Sequence, residues 1–351
     1  YLVADKYTYV HKLYFTGLPV VSIVTDNEIV DEPKVFARFT LAEPNGSITS
    51  SNIGVEYRGV TTQMYPKKSL RIEFWNDTVG KDKQDYSLLG MRSDNDWNLQ
   101  AMFAEPLKLR SVSSFELWQQ IDTLYYKSKE PKALNSINQN YIEVFLNGVY
   151  YGIYSLSEPM DRKQLKLDKD YGKLYKSAEW GDANGFLGLP PCSNDSLFWG
   201  GFEQEYPDET DWQDLYSLVN LVVTKNDSTF MVEYPSKINV KSSANYFIFL
   251  NLVSALDNIS KNCFFAKYSK DEPFFILPWD MDGTFGADWA GQLIVTPDRF
   301  LTNPLFNRML CDNKTGGFKD VLVKRWFELR NKIITNSNIM SIFRKNYTTL
   351  I

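Results

Sequence analysis

The chain has 351 residues, 44% hydrophobic and 15% aromatic, with a formal net charge of −5, and this length and composition fit about two packed domains rather than a disordered segment. The mixed charge excludes the basic stripe of a nucleic-acid binder, and three widely spaced cysteines (Cys192, Cys263, Cys311) exclude a disulfide framework or a zinc site. No apolar run reaches the length of a membrane span. The lone histidine, His11, has no catalytic partners nearby and reads as structural. Chemistry in this chain therefore has to come from carboxylates, lysine, arginine and amides. The chain opens on Tyr1 rather than Met, which reads as a trimmed or processed product, so that any signal segment or anchor would have been removed and its absence decides nothing.

The first half reads as β-rich. LPVVSIVTD (18–26) and KVFARFTLAE (34–43) are strand-like, and Asn45-Gly46 marks a turn. Two alternating runs follow in SNIGVEYRGVTTQMYPKKSLRIEFW. In the second run Lys68, Leu70, Ile72 and Phe74 share one face, and Lys67, Ser69, Arg71 and Glu73 the other. Val112, Phe115, Leu117, Trp118 and Ile121 predict a helix over 109–121, and Asn147-Gly148 predicts a hairpin within YIEVFLNGVYYGIYSLSE. Residues 177–212, rich in Gly, Pro, Asp and Trp, read as a long irregular insertion. Helices are expected at 213–223 and 243–256, strands at 263–268 and 273–279, and a helical tail over 318–350. The nine tryptophans read as packing rather than as sugar-binding platforms.

Three signals carry chemistry together. Asp257 and Asn262 stand five positions apart between an apolar helix and a strand. Asp280 and Asp282 follow the next strand in DMDGTFG, and Lys67-Lys68 lies on an alternating strand upstream. Phosphoryl transfer needs a carboxylate at the attacking hydroxyl, oxygen ligands for Mg²⁺ and a cation on the phosphates. The order helix, Asp-x-x-x-x-Asn, strand, strand, Asp is that of a protein-kinase C-terminal lobe. A dehalogenase-type phosphatase also uses a DMDGT string, but near the start of a doubly wound domain. Here only 65 residues follow Gly286, and they read as helical. An EF-hand loop fails because Gln292, next to Leu293, stands where its glutamate is expected.

The blocks VEYRGVTTQMYPKKSLRIEF, LLGMRSDNDWNLQA, KLRSVSSFELW, YIEVFLNGVYYGIYSLSEPMDR, GKLYKSAEW, NYFIFLNLVSALDNISKNCFFAKY and PFFILPWDMDGTFG resemble, in order, those of the CotH kinase family. That resemblance implies an α+β, atypical protein-kinase-like two-lobe fold, with a β-rich N-lobe over 1–157 and a mainly helical C-lobe over 158–351. It implies Asp257 as the catalytic Asp, Asn262 and Asp280 as Mg²⁺ (or Mn²⁺) ligands, and Asp282 as a further ligand. Lys68, preferred to Lys67, would contact ATP, with Arg58 and Arg110 as phosphate or ion-pair residues and Glu116 as the lysine's partner. The linker at Ser157–Asp161 would sit beside the adenine. The sequence departs from the kinase pattern in lacking a G-x-G-x-x-G loop before the lysine, an HRD triplet at Asp257 and an Asn after Arg110.

The expected function is ATP- and Mg²⁺-dependent phosphorylation of Ser/Thr on a coat or surface protein, outside the cytoplasm by family analogy, with the cytoplasm as the alternative. The competing class is a surface or coat binding protein that keeps the fold with weak or no turnover.

Overall fold

The computed structural model describes residues 2–4, 10–12, 16–294 and 300–351, the first two segments by backbone alone. His11 falls in the second of these, and its side chain lies outside the described residues. The chain divides into two compact units, one of Tyr1–Phe103, Gln139–Glu158 and Tyr347–Ile351, the other of Ala104–Asn138 and Pro159–Asn346.

In the first unit β1 (Leu2–Ala4) and β2 (Val10–Lys12) form an antiparallel pair. Then come β3 (Val20–Val24), β4 (Val35–Ala42), β5 (Ile48–Tyr57) and β6 (Leu70–Trp75). A short ribbon of β7 (Tyr86–Ser87) and β8 (Ser93–Asp94) precedes β9 (Asp96–Gln100), β10 (Gln139–Leu146) and β11 (Val149–Ser157). Seven of these strands close into a barrel in the order β10-β11-β9-β6-β5-β4-β3. Neighbours are antiparallel except at the closure, where β3 runs parallel to β10 from Val20↔Glu143 to Ile23↔Leu146. The cause is period-two patterning: Val21 and Ile23, Phe39 and Leu41, Ile53 and Val55, Leu70 and Ile72, and Ile142 and Val144 all bury in one core.

The β10–β11 turn has Asn147 and Gly148 at φ 50° and 75°, the two positive values that a tight two-residue hairpin turn requires. Farther along, Val144 pairs with Gly152 but Phe145 with Tyr150, so Tyr151 is extra and the strand bulges.

The second unit holds α1 (Arg110–Ile121), α2 (Arg162–Leu165), β12 (Lys173–Ser177), β13 (Phe198–Trp199), β14 (Phe202–Tyr206), α3 (Gln213–Thr224), α4 (Asp227–Lys237) and α5 (Val240–Leu252). It continues with β15 (Cys263–Lys267), β16 (Phe274–Pro278), α6 (Pro304–Leu310), α7 (Phe318–Lys332) and α8 (Asn336–Leu350). Asn226, Asn239 and Asn303 cap α4, α5 and α6 by accepting from the amide three residues on. The strands form an antiparallel sheet in the order β13-β14-β12-β15-β16. Among the described residues no helix is long and apolar enough to cross a membrane.

The class is α+β, as expected, and three particulars differ from the sequence reading. The helix expected with the first half, α1, belongs to the second unit. The helix α4 went unforeseen. The stretch 177–212 is not wholly irregular, because β13 and β14 within it extend the sheet. Gln204 occupies an inward position of β14 and donates to the carbonyls of Pro207 and Glu209. A buried amide there breaks the apolar alternation by which a strand is recognised.

Gly54 on β5 exists for Trp75. A Cβ at that position would lie 2.0 Å from the indole Cζ2, and the indole is pinned by its N–H donating to Glu73 at 2.8 Å. Gly54→Ala is expected to cost about 3 kcal/mol of stability in urea unfolding through overpacking; an unchanged midpoint would contradict this packing.

Candidate functional site

The candidate residues sit on two loops joined at one end of the β15–β16 hairpin. Cys263 pairs with Pro278, so the residues just outside the ladder, Asn262 and Trp279, are neighbours, and Trp279 N–H donates to Asn262 O at 2.9 Å. The loop after α5 carries Asp257 in a single 3₁₀ turn, Asp257–Ile259. The loop after β16 carries Asp280 and Asp282. Between them lies Asn258, 2% exposed, whose side-chain amide donates to Asn262 O at 2.7 Å and Trp279 O at 2.6 Å. β12 adds a third tie, since Asn262 N–H donates to Ser177 O at 2.8 Å and the Ser177 hydroxyl donates to Ser260 O.

The second loop is cross-braced as well. The Thr284 hydroxyl donates to Met281 O at 2.8 Å, and Phe285 N–H donates to Val253 O at 2.6 Å. From α1, Arg110 Nε donates to Asp282 O at 2.7 Å and Nη2 to Ala104 O at 3.1 Å. Ser254, Asn262, Asp280 and Phe285 all have φ between 51° and 53°. Non-glycine residues in this region cost about 1 kcal/mol or more each and persist only where surrounding bonds impose them.

The charges on these loops oppose one another. Asp257, half-buried, has its carboxyl pushed up by burial and by the nearby Asp280 and Asp288, with Lys261 partly offsetting this. Asp282 is driven well above the usual carboxylate range by burial and then by Asp280 and Glu105, against the pull of Arg110. Glu105, 1% exposed, accepts from the Arg110 and Ser111 amides at 2.7 and 3.1 Å and is pushed up to about 7, chiefly by burial.

Such a cluster gains from a cation. Its donors, the Asp280 and Asp282 carboxylates with the Asn262 amide, are oxygen groups that suit Mg²⁺ or Mn²⁺. Among the described residues no three His, Cys, Asp or Glu side chains are grouped so as to hold a metal by themselves. Asp280 follows the edge strand of an antiparallel sheet, unlike the doubly wound setting of a dehalogenase-type nucleophile.

The remaining expected residues make contacts within their own units. Glu116 on α1 accepts from Lys345 at 3.1 Å. Lys68 precedes β6, donates to Gln63 O at 2.5 Å and to Tyr65 O at 3.4 Å, and stands 5.4 Å from the Tyr57 ring centre. Lys67 donates to Ala101 O at 2.9 Å and to Ile153 O, with its ammonium 4.1 Å from the Tyr154 ring centre. Arg58 donates to Gln100 at 2.8 Å. The sequence reading missed Glu105 and Asn258. No spacing marks the first, and the second stood in plain view beside Asp257 but read as a spacer.

Asn258→Ala would leave Trp279 O without its donor and Asn262 O with the Trp279 N–H alone, and should cost about 1–3 kcal/mol in chemical denaturation. A loss within error of zero would contradict the clamp. Glu105 binds its proton more tightly folded than unfolded, so stability should fall as pH rises from about 4.5 to about 7. Glu105→Gln should remove up to about 3 kcal/mol of that fall, measured by urea titrations in metal-free buffer. A decline of the same size in the variant would refute the assignment; Asp282 shares its sign, so part of the decline should persist.

A family model described as CotH kinase protein matches residues 55–350, which is most of the chain. The inner spore coat protein H of Bacillus subtilis (strain 168) is 25% identical over 246 residues, 69% of this chain and 61% of that protein. The chain thus matches less than two thirds of this relative's length. The family model spans the two loops that Asn258 ties together, and the chain belongs to the CotH kinase protein family.

Proposed function

We propose that the protein is an ATP- and Mg²⁺-dependent phosphotransferase of atypical, kinase-like two-lobe type that modifies Ser or Thr of a coat or surface protein outside the cytoplasm. One observation carries this reading: Asp257, Asn262, Asp280 and Asp282 converge on one braced hairpin end where the carboxylates repel one another. The acceptor hydroxyl oxygen attacks the γ-phosphorus, the bond to the bridging oxygen breaks, and ADP leaves. Asp257 accepts the hydroxyl proton, a role suited by a carboxyl already held above its ordinary range. Mg²⁺, when bound, neutralises phosphate charge. Asn262, Asp280 and Asp282 would hold it, and Arg110 positions Asp282 through its carbonyl. Lys68 or Lys67, with Arg58, would grip phosphates.

A second reading has its own support. The ammonium groups of Lys67 and Lys68 are engaged by backbone carbonyls, which favours a binding protein of the coat or surface with weak turnover. Incubation with radiolabelled ATP and Mg²⁺ or Mn²⁺ separates the two. Autophosphorylation is expected, with Asp257→Ala and Asp280→Ala each lowering it at least about a hundredfold. No label transfer by the wild type, together with no ATP-dependent thermal shift, would overturn the phosphotransfer reading in favour of binding.

A further inference from the structure

Six of the nine tryptophans are buried, consistent with packing, but Trp180 is 59% exposed. It lines a cavity of about 450 Å³ in the second unit, shared with Asp182, Leu187, Ser260, Thr302 and Asn303. The volume is that of a small-molecule site rather than an extended peptide groove. Ser260 places the cavity three residues from Asp257.

The wall that carries Trp180 is held firmly. Asn184, 1% exposed, accepts from Gly181 N–H at 3.0 Å, and its amide donates to Ser177 Oγ at 2.7 Å and to Glu179 O. Leu187 N–H and Gly188 N–H both donate to Asp182 O, at 2.9 and 3.2 Å. A Cβ on Gly181 would lie 2.4 Å from Gly200 O, so the loop is seated against the turn before β14. Ser177 in turn binds the loop of Asp257 through Ser260 O. The backbone that carries the indole is therefore preorganised, and its ordering has been met in folding rather than at binding.

The functional groups facing this cavity are complementary in kind. An indole offers an apolar surface and an N–H donor, and beside it stands the Asp182 carboxylate. Neither side chain makes a hydrogen bond or ion pair among the described residues. Asn303, by contrast, is committed to Ile259 O and the Phe306 amide. An apolar ring platform flanked by a free acceptor matches a ligand with one C–H face and a rim of hydroxyls.

We propose that this cavity is a saccharide subsite in which a sugar ring packs on Trp180 and donates hydroxyl hydrogen bonds to Asp182. The site goes beyond the phosphotransfer reading and does not depend on it. It is tested by saturation-transfer NMR and calorimetry without nucleotide, using cellotetraose, xylotetraose, mannotetraose and chitotetraose as probes. At least one should bind saturably, with a dissociation constant on the order of millimolar. Trp180→Ala should weaken it about tenfold or more, and Asp182→Asn should weaken it as well. Trp326→Ala, at an exposed tryptophan elsewhere, and Asp257→Ala should leave it unchanged, so loss of kinase activity and loss of sugar binding are separable. Should Trp180→Ala fail to fold, Trp180→Tyr must retain binding, because it keeps an aromatic platform. No saturable binding of any probe, or equal binding by Trp180→Ala, overturns the proposal. Trp180-dependent binding of Ser/Thr peptides with none of the sugars would overturn it in favour of a peptide subsite.

Discussion

The side-chain amide of Asn258 spans two stretches of backbone that are remote in sequence. One carbonyl that it reaches belongs to the loop after α5, the other to the end of β16. Neither lies within a ladder; without this amide Trp279 O would lose its donor and Asn262 O would keep only the Trp279 N–H. Once both are tied, Asn262 and Asp280 take left-handed backbone positions that an unconstrained chain would leave. The acidic residues are thus presented by strained backbone held from beneath by a neutral amide. A carboxylate at this position would face two carbonyl oxygens and repel them.

The site is also the place where stability is given up. Burial lifts Asp257, Asp282 and Glu105 alike, neighbouring carboxylates add to it at Asp257 and Asp282, and Lys261 at the first and Arg110 at the other two offset it only in part. A core optimised for stability alone would not gather these groups. Local conflict of this kind, surrounded by consistent packing, is what a binding or catalytic centre leaves in a structure.

Much of this was legible in the sequence where one physical rule governed. Strand alternation marked β4 and β10, and Asn147-Gly148 marked its hairpin, because the turn demands two positive φ values. The order of helix, acid, amide, strand, strand and acid marked the two loops. Legibility failed where a residue serves a distant partner. Glu105 reads as a surface glutamate until Arg110 and Ser111 turn their amides to it. Gln204 disguised a strand by spending its amide on a neighbouring turn. The Lys68–Glu116 pairing was expected by kinase analogy, yet each residue bonds to other groups, Lys68 to loop carbonyls and Glu116 to Lys345.

The parallel seam between β3 and β10 has a kinetic consequence. Val20 must find Glu143 across more than a third of the chain, whereas the other barrel neighbours include the tight hairpins β4–β5 and β10–β11. Such a high-separation contact closes a large loop and comes late in folding. During synthesis the early strands can form a meander, but its first edge stays open until β10 has been made. A nascent chain of this protein thus carries an unpaired, apolar strand edge for much of its elongation, and that interval exposes it to pairing with another copy.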